Sequence, residues 1–343
     1  MNRRMLAMML DEPEKYRILD LPVPEAGDGQ VLVKITRAGI CASDLATIHG
    51  VSPIAAYPLI PGHECSAEVV KAPDGSGYAP GDKVTVFPSV GCGACPACDE
   101  QRTNQCPTFK VQGIGLPGGC FAEFMATDVA QLVRLPDKVY ERFGPLVEPL
   151  AVGMHVNRRG VTTKGETVLV FGTGAIGLAS ALIARAMGAK RVLLVDRFES
   201  RRAVAERFGF SDFTTDSGDA LVSWVQEQVG SVDLVLDNVT NDQTIDVAAK
   251  ILRPGGRSVL VGLPHGDQSL MLPHTDSYRK ELSFIISRNY VKDDFVKTVE
   301  LLEAEAFDPS PMVTAVFPLA KVDDALKALQ SSPEQHIKVL LEP

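Results

Sequence analysis

From residue 31 to about 135 the apolar residues come in short, β-branched runs (VLVKIT, AEVV, DKVTVF, FAEFMA, AQLVRL) separated by glycine and proline, and no helical period is sustained. Such punctuation predicts an all-β region. After VEPLAVGMHVNRRG the rhythm changes. TVLVF leads into a glycine turn and an apolar helix reaching about Gly188, RVLLV into a charged helix from about Glu199, VDLVLD into a helix over about 242–252, and then RSVLVG follows. Strands alternating with helices at this spacing predict a parallel, doubly wound sheet, so the fold class is α/β with a β-rich first part. The tail from about Phe295 adds a helix, the run PMVTAVF, a helix over 322–329 and the run IKVLLEP. No internal repeat or low-complexity tract interrupts this order.

With 343 residues, 45% of them hydrophobic, the chain is long enough for two domains with separate cores. Its 34 basic and 43 acidic residues leave a net charge of −9 without a polybasic run. That argues against nucleic acid or an anionic membrane surface as partner and in favour of a small molecule. No stretch of about twenty residues is free of charge, as a membrane span requires. The apolar stretch in MNRRMLAMMLDEP is too short for a secretion signal. A cytoplasmic location is therefore expected, where clustered cysteines mean metal binding or catalysis more often than disulfides.

Three groups of residues carry chemistry. In VLVFGTGAIGLASALIARAMGA, Gly172, Gly174 and Gly177, with Ala175 and Ile176 between them, form G-x-G-x-x-G immediately after a strand and at the opening of a helix. In that context the first glycine allows the turn, the second lets a pyrophosphate approach backbone N–H groups, and the third packs helix on strand. Asp196 ends the next strand 24 positions after Gly172, where a carboxylate can accept hydrogen bonds from ribose hydroxyls. Its charge would repel a 2′-phosphate, so NAD is favoured over NADP, a preference that the neighbouring Arg197, Arg201 and Arg202 weaken. Cys92, Cys95, Cys98 and Cys106 follow C-x2-C-x2-C-x7-C; four thiolates on one loop suit a tetrahedral zinc with no vacant position, hence a structural one. Cys41 in AGICASD, His63 and Glu64 in IPGHE, and Glu148 in LVEPLAVG supply the mixed thiolate, imidazole and carboxylate set that leaves a zinc position open to a reacting oxygen. Each of these four residues has an ordinary structural explanation; it is their company beside a dinucleotide fold that gives them meaning.

The motifs CASD, PGHE, GDKV, CGACPAC…C, GGCFAEF, EPLAV and FGTGAIG, in this order over nearly the whole chain, resemble the zinc-dependent medium-chain alcohol and polyol dehydrogenases. The resemblance implies a GroES-like catalytic domain over 1–150 and 290–343, with a structural zinc lobe at 91–107, and a Rossmann NAD-binding domain over 151–289. It implies two zinc ions per chain: a catalytic one at Cys41, His63 and Glu148, with Glu64 as ligand or close neighbour, and a structural one on the four cysteines. Glu148 followed by proline is similar to the sorbitol and threonine dehydrogenase branch. ELSFIISRN and HIKVLLEP look most like L-gulonate or L-galactonate 5-dehydrogenases, in which Arg288, with Asn289, would bind a substrate carboxylate. A subunit contact is the alternative use of that arginine. A homodimer or homotetramer is implied as well.

The expected reaction is oxidation of a secondary hydroxyl of a polyol or sugar acid to a ketone, with Ser43 taking the alcohol proton. Sorbitol- or L-threonine-type oxidation is the alternative within the family, and an NAD- and zinc-binding regulator the alternative outside catalysis. Two departures stand out: Ala42 and Ala46 occupy positions where the family carries glycine and histidine, so a relay ending in that histidine is lost and the exit falls to water or to His49. There is also a charge problem, because Cys41, Glu64 and Glu148 bound together as anions would leave a zinc site at −1.

Overall fold

The computed structural model describes residues 3–262 and 269–343. The chain forms two compact units, one comprising 1–148, 291–304 and 313–343, the other 149–290 and 305–312. Among the described residues no helix is long and apolar enough to cross a membrane.

The first unit is built on a seven-stranded sheet. Its strands run side by side in the order Val313–Pro318, Lys338–Glu342, Gln30–Ile40, Glu64–Lys71, Lys83–Val86 and Leu132–Arg134, with Phe124–Asp128 also pairing with Gln30–Ile40. The long strand Gln30–Ile40 shows why: Val31, Val33 and Ile35 alternate into the core and pack with Met8, Leu10 and Val69, while the intervening Leu32 and Lys34 point the other way. At its far end the alternation stops, and Ala38, Gly39 and Ile40 are all buried. There the strand is flanked on one side by Lys338–Glu342, with Val339 opposite Ile40, and on the other by Glu64–Lys71, with Glu64 opposite Gly39.

Two parts of this unit differ from the hydrophobic pattern. FAEFMA is strand only from Phe124 onward; Cys120 and Phe121 instead donate their backbone N–H groups to Gly62 and Pro61 carbonyls, closing over the turn that carries His63. A seven-residue helix, Ala42–Ile48, stands directly after Cys41. It is too short to show a period, but Asp44 three positions after Cys41 marks its start, since the Asp44 side chain accepts from the Cys41 N–H at 2.8 Å.

The second unit holds a six-stranded parallel sheet in the order Phe213–Thr214, Arg191–Val195, Thr167–Phe171, Val232–Asp237, Leu252–Leu260 and Ser283–Ile286. Val168, Leu169 and Val170 are fully buried in succession, as expected of a strand covered on both faces. Numbered by sequence, the order is 3-2-1-4-5-6, so the direction of strand addition reverses beside Thr167–Phe171, and ligands bind such sheets at the carboxyl ends of the strands next to that reversal. Gly172, Asp196 and Arg288 all follow carboxyl ends of these strands.

Candidate active site

In the first unit, ligand atoms of Cys41, His63 and Glu64 lie within 4.8 Å of one another. The three arrive from a helix cap, a turn and a strand end, and one side chain organises them. Asp44 is fully buried; its carboxylate accepts from the backbone N–H of Cys41 at 2.8 Å and of Gly62 at 3.2 Å, and its Oδ1 stands 3.2 Å from His63 Nδ1. A carboxylate at Nδ1 keeps the proton there and aims the Nε2 lone pair at a metal. Burial pulls the His63 pKa down, but Asp44 and then Cys41 outweigh it and hold the imidazole well above its ordinary range. An incoming cation therefore displaces a proton from this ring. Ser43 Oγ is 3.2 Å from His63 Nε2, which puts its hydroxyl at the metal-facing nitrogen.

Glu64 opens the strand Glu64–Lys71 and is fully buried over Gly39, where a Cβ would stand 2.1 Å from its Oε2. Only glycine leaves room for that carboxylate. Across the central strand, Lys338 Nζ donates to both Glu64 oxygens, at 2.6 and 2.7 Å, and to the Ile40 carbonyl at 3.2 Å. Lys338 is itself buried; desolvation alone would lower its pKa, but Glu64, Cys41 and Glu148 outweigh that and keep the ammonium charged. Glu148 is buried in the first turn of the helix Val147–Arg159, near enough to act on Lys338, though it is not part of the converging trio.

Sequence reasoning singled out neither Asp44 nor Lys338. Asp44 carried a signal, as the third residue after an N-cap, whereas a lysine inside an apolar terminal strand announces only that something acidic lies opposite. His49, which the sequence offers as a proton exit after Ser43, stands away from Ser43 on the helix. It caps the far end of the Ala42–Ile48 helix, roughly 9 Å along the axis from Ser43, with Nδ1 2.6 Å from Glu14 Oε1 and Nε2 3.1 Å from Gln330.

The four remaining site cysteines form a second trap for a cation. Sulfur atoms of Cys92, Cys95, Cys98 and Cys106 lie within 4.8 Å of one another, and no disulfide joins any cysteine of the chain. The loop folds around them with Pro96 opening a one-turn helix after Cys95 and with Gly91 so close that a Cβ there would meet Cys98 Sγ at 2.6 Å. The Thr108 hydroxyl and the Cys92 N–H, which donates to Cys106 Sγ at 3.3 Å, lower the Cys106 pKa to about 6, which favours its thiolate. Four soft ligands and no fifth group leave such a site closed to substrate.

In the second unit Gly172 adopts φ +79°, and a Cβ on Gly177 would stand 1.7 Å from the Gly172 carbonyl. Nothing lies within 4 Å of where a Cβ on Gly174 would be, so space above the start of the helix Ala175–Ala186 is open for a phosphate. Asp196 Oδ2 accepts from both the backbone N–H and the hydroxyl of Thr173, at 2.7 and 2.8 Å, which fixes the carboxylate beside the glycine turn. Three arginines follow Asp196. Arg202 pairs with Glu199, Arg201 is buried, and Arg197 is exposed over the Phe198 ring. Arg288 is exposed and Asn289 half-buried with φ +49°, just past the edge strand Ser283–Ile286.

Comparison with known proteins identifies the family. Residues 27–137 match the alcohol dehydrogenase GroES-like domain family and residues 175–304 the zinc-binding dehydrogenase family. L-galactonate-5-dehydrogenase from Escherichia coli K12 is 32% identical over 92% of both chains, and sorbitol dehydrogenase from Bacillus subtilis 28% identical over 99% of this chain and 98% of that one. Among solved structures, the alcohol dehydrogenase RspB from E. coli CFT073, crystallised with NADH, superposes with a TM-score of 0.92 at 27% identity, covering 99% of each chain.

If the four cysteines hold an ion, Cys92→Ser lowers the zinc content of the purified chain from about two ions to about one. Elemental analysis measures this directly, and retention of both ions removes the lobe as a metal site.

Proposed function

Because the chain belongs to the zinc-dependent medium-chain polyol and sugar-acid dehydrogenases, we propose that it oxidises a secondary hydroxyl of a sugar acid or polyol to a ketone, transferring hydride to NAD. The observation that carries this reading is the convergence of Cys41, His63 and Glu64 around one point, with Ser43 at the same imidazole nitrogen. A thiolate, an imidazole and carboxylates are a donor set that zinc accepts while keeping one position open, which the four-cysteine lobe does not offer. Cys41, His63 and Glu148 would hold the ion, with Glu64 as a further ligand or close neighbour. When bound, the zinc acts as a Lewis acid on a hydroxyl group.

The remaining work falls to the chain. Asp44 fixes the His63 tautomer, and Ser43 Oγ receives the alcohol proton. Gly174 and the first N–H groups of the helix Ala175–Ala186, including those of Ala175 and Ile176, receive the pyrophosphate. Asp196 accepts from the ribose hydroxyls and opposes a 2′-phosphate, a preference that the neighbouring exposed Arg197 weakens. Arg288 and Asn289 favour a substrate that carries a carboxylate. The single test is a screen of NAD and NADP reduction against sugar acids, polyols and amino alcohols. The expected result is turnover with sugar acids or polyols and NAD; turnover confined to amino alcohols or to NADP contradicts the reading.

Glu148→Ala is expected to reduce kcat by about 100-fold or more while changing NAD affinity little. Initial-rate kinetics and cofactor titration check this, and equal losses in both would move Glu148 away from the metal.

A homodimer or larger assembly is supported by the edge strand Ser283–Ile286, which has no outer strand partner among the described residues and carries Ile286 at 64% exposure. Ile286→Asp should then lower the sedimentation coefficient to that of a smaller species; an unaltered value excludes this edge.

A further inference from the structure

The carboxylate of Asp196 is held by the chain from three directions before any ligand arrives. Its Oδ2 accepts from the Thr173 N–H at 2.7 Å and from the Thr173 hydroxyl at 2.8 Å, while its Oδ1 accepts from the Phe198 N–H at 3.0 Å. A carboxylate has about four acceptor positions. Both bonds to Oδ2 come from one residue, and that residue is 1% exposed, so its hydroxyl serves Asp196 and not an incoming molecule. We propose that Thr173 is a positioning residue for cofactor choice: its buried hydroxyl pins Asp196 Oδ2, leaves Oδ1 as the acceptor offered to the adenosine ribose, and keeps the charge from swinging aside for a 2′-phosphate. This rests on the cofactor reading given above, in which Asp196 meets the ribose.

The backbone explains why the hydroxyl matters. The Gly172 N–H donates to the Val195 carbonyl at 2.8 Å and the Asp196 N–H to the Thr214 carbonyl at 3.2 Å, so the glycine turn and the end of the strand Arg191–Val195 are already tied together. What those bonds leave undetermined is the rotation of the Asp196 side chain, and the Thr173 hydroxyl restrains it. A fixed acceptor binds a ribose diol with less loss of freedom. A fixed negative charge repels a 2′-phosphate at close range. Without the hydroxyl, the half-buried Asp196 can turn toward water, and the exposed Arg197 beside it becomes a cation that a 2′-phosphate meets with less opposition. Loss of the clamp therefore acts on the two cofactors with opposite sign, which a general loosening of the fold would not do.

The test is equilibrium binding of NAD and of NADP to the purified full-length chain, followed by calorimetry without substrate. Thr173→Val keeps the branched shape and the backbone N–H and removes the hydroxyl. It is expected to weaken NAD about tenfold while leaving NADP unchanged or tighter, so that the preference for NAD falls about tenfold or more. Thr173→Ser retains the hydroxyl and is expected to keep the preference within about twofold of the parent. Equal weakening of both cofactors by Thr173→Val, an unaltered preference, or a Thr173→Ser chain that behaves like the valine variant overturns the proposal. If Thr173→Val does not fold, Thr173→Ala is read by the same criteria. A parent chain that binds NADP as tightly as NAD overturns the cofactor reading itself, before any variant is compared, which separates the two failures.

Discussion

A doubly charged ion cannot be held by donors that have yet to be gathered, and in this chain the gathering is done by one carboxylate. Asp44 joins the start of a short helix to a turn nearly twenty residues away, and it does so from a fully buried position where its hydrogen bonds face little competition from water. Cys41 and His63 are brought together because their backbones, or those of their neighbours, share this acceptor. The ring orientation comes from the same side chain. Loss of Asp44 would therefore release the frame as well as the ligand.

The two clusters of soft and hard donors solve different problems. Four cysteines within a 15-residue stretch can close on an ion using local turns alone, and the small apolar group of Phe109, Val111 and Ile114 packs against them. The other centre is non-local, drawing on a helix cap, a strand end, a helix start and a return strand. A self-sufficient site stabilises a lobe that has little core of its own. An assembled site can keep a position open, because the sheet, rather than the ion, fixes where its ligands stand.

This difference also decides what could be read from the sequence. The strand–helix alternation after residue 160, the glycine turn with Asp196, and the cysteine spacing are local patterns whose physical meaning is complete within a few residues, and the sheet order and geometry follow them closely. The residues Cys41, His63, Glu64 and Glu148 stood out by type, but not by arrangement. Lys338, which offsets part of the negative charge of this centre, is 274 residues from Glu64 and is juxtaposed with it only by strand order. His49 stands apart from Ser43 for the opposite reason. Its nearness to Ser43 in sequence is spent along a helix axis, which carries it toward Glu14 and Gln330.

The distance along the chain between Glu64 and Lys338 also sets an order of biosynthesis. Cys106 emerges early, so the lobe can fill with metal while the dinucleotide-binding unit is still being translated. The strand Lys338–Glu342 follows that entire unit. Until it docks, the Glu64 carboxylate has no ammonium beside it, so the last residue to join this buried cluster is supplied by the final strand.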